Sequence, residues 1–278
     1  MMKKLLTVLT ALLFLFIVFD VLAQDIKDDG KKPLSILPNH EKIKPKETLE
    51  YSLKWLGMDV GKIILKVEGF KNIKGHKCYH ITAQAIPNDF LNGIWNLDYK
   101  VHSYIDYRTL DPIRFERIRR INKEFNHTII DFDHRRNQAE YLSEELELTT
   151  LDTPVDHKIN LKPITDKIPS GTQDLLSIFY YFRFKDIQEN FRYAINIYYD
   201  QKNWPVEIKT EKAFLKQIER KGEFSVVKIS SDSKLNDHLF GGDELVFFLT
   251  FDSRHIPLEF EFDTALGTVT GIIQEIPR

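Results

Sequence analysis

The sequence of 278 residues contains a single cysteine, Cys78. An intramolecular disulfide is therefore excluded, as is a structural metal site built on a pair of thiolates, so buried apolar area must stabilise the fold. Charge of one sign is not in excess either: 39 Lys and Arg stand against 41 Asp and Glu, a net of -2. A polyanion would find no cationic excess to hold it, and nucleic acid is not an expected partner. Glycine and proline number only 12 and 11, which excludes collagen-like and low-complexity chains. No apolar run reaches the roughly 20 residues of a membrane-spanning helix; the longest, Leu5 to Phe19, has about fifteen. No G-x-S-x-G elbow occurs, and no other catalytic signature is visible. The expectation leans away from an enzyme, and no cofactor or metal is expected.

What is present is the composition of a globular protein, 42% hydrophobic and 12% aromatic. The amino terminus reads as a cleavable signal peptide over residues 1–23, with Lys3 and Lys4 before the apolar run and Val21-Leu22-Ala23 at the cleavage site. No cysteine follows that site, so a lipoprotein is not expected. Localisation is expected to be periplasmic or secreted, with no transmembrane span after cleavage. Residues 24–46 are polar, aperiodic and contain Lys44-Pro45-Lys46, and are expected to be a flexible tether. Residues 47–278 are expected to form a single β-rich domain.

From Glu47 the apolar period is two. Leu49, Tyr51, Leu53 and Trp55 alternate with polar residues, as do Ile63, Leu65 and Val67, and Gly57 lies between the two runs. Similar runs recur at 76–86, 97–107, 113–122, 125–134, 191–199, 206–210, 224–230, 244–251, 258–262 and 268–276. The expected fold class is all-β and mainly antiparallel, a large curved sheet or open barrel-like structure. One segment breaks the period: Leu175, Ile178, Phe179 and Phe182 share a helical face, which predicts one packed α-helix near 173–183 with Asp174 in its first turn.

Several segments together resemble the DUF3108 family of bacterial exported proteins. They are Glu47-x-Leu49-x-Tyr51, Trp55-x-Gly57, Ser103-Tyr104-Ile105-Asp106, Leu110-x-Pro112, Phe132-Asp133, Gln173-Asp174-Leu175-Leu176-Ser177 with Tyr180, Tyr181 and Arg183, and Asp252-x-Arg254-x-Ile256-Pro257. The resemblance runs from about Glu47 to Ile276 and implies an exported protein of unassigned function. It brings no catalytic residues.

The constellations that could carry chemistry each have a plainer reading. His76, Cys78 and His80 share a strand face, but side chains four apart on a strand lie about 13 Å from one another, too far to close on one zinc ion. Cys78 is expected to pack as a small hydrophobe. Asp131, Asp133 and His134 form a charged cluster expected to be a solvated stripe, and Ser253 and His255 lack a partner carboxylate. Arg114, Arg117, Arg119 and Arg120 are expected to mark a charge-protected edge strand. Aromatic residues crowd around the helix and the strand after it. Leu175, Ile178, Phe179, Phe182 and Tyr198 are the candidate lining of an apolar ligand site between helix and curved sheet. The expected partner is a lipid or other apolar ligand, or an envelope protein; assembly through strand edges and glycan or lipid hydrolysis are the alternatives.

Overall fold

The computed structural model describes residues 40, 43–148, 162–232, 244–264 and 267–277. The expected signal peptide and all but the last residues of the expected tether lie outside the described residues. The tether was expected to reach Lys46, but Ile43 is buried and the Lys46 N–H donates to the Val67 carbonyl at 2.7 Å. Ile43 is an isolated apolar residue in a polar run, and burying it draws the chain onto the sheet before the first strand begins.

Eight strands follow in sequence, each antiparallel to the one before: β1 (Thr48–Trp55), β2 (Met58–Ile73), β3 (His76–Pro87), β4 (Leu97–Asp106), β5 (Pro112–Ile121), β6 (Glu124–Asp133), β7 (Gln138–Glu147) and β8 (Ile164–Lys167). Seven more complete the sheet: β9 (Arg192–Tyr199), β10 (Lys202–Thr210), β11 (Phe214–Ile218), β12 (Gly222–Asp232), β13 (Glu244–Thr250), β14 (Pro257–Thr264) and β15 (Gly267–Ile273). The spatial order is β8 to β1, then β15, β14, β13, β12, β10 and β9, with β11 also on β12. The chain thus meanders from the middle of the sheet to one end, crosses to the other, and returns so that β15 pairs with β1. The all-β antiparallel expectation holds.

The two sheet ends meet at a seam. Gln173, just after β8, forms a parallel bridge with Ile197 of β9: its N–H donates to Asn196 and its carbonyl accepts from Tyr198, at 2.8 and 2.9 Å. Tyr198 sets its ring edge-on to Phe132 of β6, and its hydroxyl donates to Asp166 of β8. Asn203 Nδ2 of β10 donates to the Lys167 carbonyl at 2.7 Å.

Among the described residues, two short helices interrupt the strands. The first, α1 (Asp89–Trp95), crosses between β3 and β4; the second, α2 (Ser177–Phe184), lies on the concave face. The expected helix near 173–183 therefore begins four residues later, because Gln173 is taken by the seam. Apolar side chains form two main clusters about α2. The larger draws on most strands, and the smaller joins Phe182 to β9, β10, β12 and β13. The face of α2 that is buried carries Tyr180, Phe182, Arg183 and Phe184. Of the residues expected to face inward, Phe182 is buried and Ile178 and Phe179 are half-buried, with Leu175 half-buried just before the helix.

Residues 114–121 of the arginine-rich segment lie in β5, between β4 and β6, so this is not an edge strand. Its outward Arg114 holds Asp131 of β6 at 2.6 and 2.8 Å. Its inward Arg117 is buried and donates to Tyr199 Oη at 2.6 Å and to Asn126 and Thr128. Charge on both faces is accommodated because the concave face is polar at this end of the sheet.

Candidate functional site

The strand registers define two rims. One carries the β1–β2 turn at Leu56-Gly57, helix α1 after β3, and the β14–β15 turn, where Thr264 pairs with Gly267. The other carries the β2–β3 turn at Lys74-Gly75 and the ends of β4 and β6. At this second rim the strand-end aspartates tie their own turns. Asp106 Oδ1 accepts from the N–H groups of Arg108 and Thr109, and Asp133 Oδ1 accepts from those of Arg135 and Arg136. In the β13–β14 loop Asp252 does the same for Arg254.

Helix α2 is held by two polar clamps. Before it, Asp174 is fully buried; its Oδ2 accepts from Ser103 Oγ of β4 at 2.6 Å and its Oδ1 from the N–H groups of Leu176 and Ser177, both at 2.7 Å. Burial pushes the Asp174 carboxyl up to about 6, against the pull of these hydrogen bonds. At the other end, Arg183 is 0% exposed and Glu47 accepts from both its Nη atoms, with Nη2 to Oε2 at 2.9 Å. The helix is thereby fixed between β4 and the start of β1.

Beyond the clamps the concave face is not uniformly buried. On the half of the strands nearest the second rim, Leu65, Val67, Tyr79, Ile81 and Ile105 are buried. Nearer the first rim burial is mixed: Leu53, Trp55, Ala85 and Phe262 are buried, whereas Ile63, Tyr99, Leu245 and Phe247 face the same interior but keep partial exposure, as do Leu175 and Phe179. Ala83, midway along β3, is also half-buried. Phe179 meets Phe247 edge-to-face at 5.3 Å and Tyr51 at 6.3 Å, so its ring packs between β13 and β1 on the concave face. A solvent-reached patch of inward-facing apolar side chains inside a curved sheet is the form that apolar ligand sites take.

Of the five candidate lining residues, Leu175 and Phe179 border this concavity. Ile178 and Phe182 belong to the smaller cluster, and Tyr198 is buried at the seam. Sequence reasoning missed Ile63, Ala83, Tyr99, Leu245 and Phe247. Their place in the alternating pattern gave the inward face, but depth along the barrel has no signal in one strand's sequence.

The other constellations have local partners. His76 Nδ1 lies 2.7 Å from Asp106 Oδ2, and His80 Nε2 lies 3.0 Å from His102 Nδ1, so His76, Cys78 and His80 do not converge. Cys78 is buried with Tyr104 and Ile113 on the convex face, and burial pushes its thiol up to about 12. His80 stacks on Tyr104 at 4.6 Å; burial, then Lys71 and His102, lower its pKa to about 4. Asp131 is paired with Arg114 and Lys74, and His134 meets the Pro112 carbonyl. His255 is buried in the β13–β14 loop while Ser253 is exposed. Among the described residues no helix is long and apolar enough to cross a membrane.

Fold and clamps define a barrel-like antiparallel β-protein with a helix pinned across its concave face. The chain belongs to the DUF3108 family, described as a protein of unknown function, whose profile matches residues 50–274. No curated protein matches. Among solved structures it is similar to a beta-barrel-like protein of the domain of unknown function DUF1849 from Brucella abortus. The two share 9% identity and a TM-score of 0.47 over 82% of this chain and 95% of that one.

Proposed function

We propose that this is an exported, non-catalytic protein of the cell envelope that holds an apolar ligand in the concavity bordered by Phe179 and Phe247. The observation that carries the reading is the partial exposure of Ile63, Tyr99, Leu245 and Phe247, apolar residues that point into the barrel. In a tightly packed core such residues would be covered, since protein interiors leave few voids larger than a water molecule. Export is supported by Lys3, Lys4 and the apolar run before Gln24.

Assembly through a strand edge is the second reading, and β11 supports it. Beyond the hairpin with β12, no strand among the described residues pairs with β11, and Phe214 and Leu215 on it are exposed.

Native mass spectrometry of protein purified from the envelope without detergent separates these readings. A bound apolar species in the wild type, depleted in Phe179→Ala, is the expected result. Ligand-free wild type that runs as a defined oligomer, broken by Leu215→Lys, would replace ligand binding with edge assembly.

A further inference from the structure

The first rim carries exposed apolar side chains. Leu56 and Met58, in and beside the β1–β2 turn, are 63% and 56% exposed, and Phe90 and Ile94 of α1 are 62% and 42% exposed. These two segments are neighbours. The Asn88 N–H donates to the Val60 carbonyl, and its Nδ2 to the Asp59 carbonyl at 2.8 Å. Asn88 Oδ1 meanwhile accepts from the Leu91 N–H at 2.9 Å, so the residue that caps α1 also ties it to the start of β2. The tie is close: a Cβ on Gly61 would stand 2.4 Å from the Ile86 carbonyl oxygen.

Leu56 adds a second observation. It has φ +48° and precedes Gly57 at φ +79°, the two-residue hairpin geometry in which the first position favours Asn or Asp. A branched apolar residue there costs backbone energy, yet its side chain is largely exposed instead of being repaid by burial. It lies beside Gly267, where a Cβ would meet Leu56 Cδ2 at 2.9 Å.

Nearby charge decides the partner. Asp59 and Asp89 flank the patch, while the cations beside it, Lys54 and Lys62, are held by Glu219 and Glu50. An anionic surface would be repelled, and a second copy would bring the same carboxylates together. We propose that this rim docks on a zwitterionic phospholipid surface, with Leu56, Met58, Phe90 and Ile94 entering its apolar boundary. The inference rests on the apolar-ligand reading, since it gives that ligand a path from bilayer to barrel.

The test is co-sedimentation of the exported chain with phosphatidylcholine vesicles, alongside Leu56→Asn and Phe90→Ser. Leu56→Asn suits the turn and should fold at least as well as wild type, so lost binding cannot be blamed on unfolding. Wild type should bind with little dependence on salt, and each variant should partition about 10-fold more weakly, in proportion to the apolar area withdrawn. Wild type that stays in the supernatant, variants that sediment equally, or a rim-dependent dimer without vesicle binding would each overturn the docking. Wild type that binds vesicles yet carries no apolar species in native mass spectrometry would overturn the ligand reading alone and leave the docking standing.

Discussion

Arg183 in the last turn of α2 is paired through both its Nη atoms with Glu47, 136 residues earlier in the chain, and both side chains are buried. With the Ser103–Asp174 bond at the start of the helix, this pair fixes α2 across the concave face. The concave face is crossed by a helix whose position two buried polar contacts determine.

Breaking that pair should be costly. Arg183→Met strands a buried carboxylate, and the loss should be about 3–5 kcal/mol in urea denaturation. The double variant Glu47→Gln with Arg183→Met should lose less than Arg183→Met alone. A loss below about 1 kcal/mol for the single variant would mean the pair does not hold the helix.

The first clamp has a separate prediction. Ser103→Ala removes a donor to a buried carboxylate and should destabilise by about 1.5–3 kcal/mol. An unchanged denaturation midpoint would show that Asp174 is held by the backbone N–H groups of Leu176 and Ser177 alone.

Acid should separate two buried groups of opposite sign. The folded pKa of His80 is lowered from 6.5 to about 4, so its neutral form supplies stability above pH 6.5 that is lost as pH falls toward 4. The folded pKa of Asp174 is raised from 3.8 to about 6, so the folded state binds the proton more tightly and gains stability as pH falls through 6 toward 3.8. Compared with wild type between pH 7 and 4, His80→Gln should lose less stability and Asp174→Asn should lose more, each by roughly 2 kcal/mol. Parallel pH profiles for all three proteins would contradict both assignments.

The amino terminus gives a prediction independent of the fold. Residues 1–23 fused to a reporter active only outside the cytoplasm should direct export, and sequencing of the exported protein should begin at Gln24. An intact terminus would make the segment an anchor.

Most strands were legible because one face is buried and the other wet, which period-two alternation records directly. Strand β7 escaped because its inward Ser143 and Glu145 turn toward Asn126, beside Arg117, so the concave face there is polar and the alternation disappears. Helix α1 has only seven residues, one of them glycine, too few to show a helical period. Several residues of the family segments make structural contacts. Glu47, Arg183, Ser103 and Asp174 clamp the helix, while Asp106, Asp133 and Asp252 cap turns. The candidate site was half visible: Phe179 announced itself by helical spacing, whereas Leu175, expected on the same helical face, lies just before the helix. Ile63 and Tyr99 are indistinguishable in sequence from buried strand residues such as Leu65 and Val101.

Ala83 offers the most direct measurement of the central claim. Its half-buried side chain points into the barrel beside Leu65 and Val101. Titration of wild type and Ala83→Phe with a fluorescent fatty-acyl probe, each first checked by urea denaturation, reports space and binding together. With an open concavity, the added ring fits at a cost below about 1 kcal/mol, wild type binds the probe at one site, and the variant binds it at least about 10-fold more weakly. In a filled core the ring would overpack and cost about 1–3 kcal/mol. That loss, together with a wild type that does not bind the probe, would contradict the account.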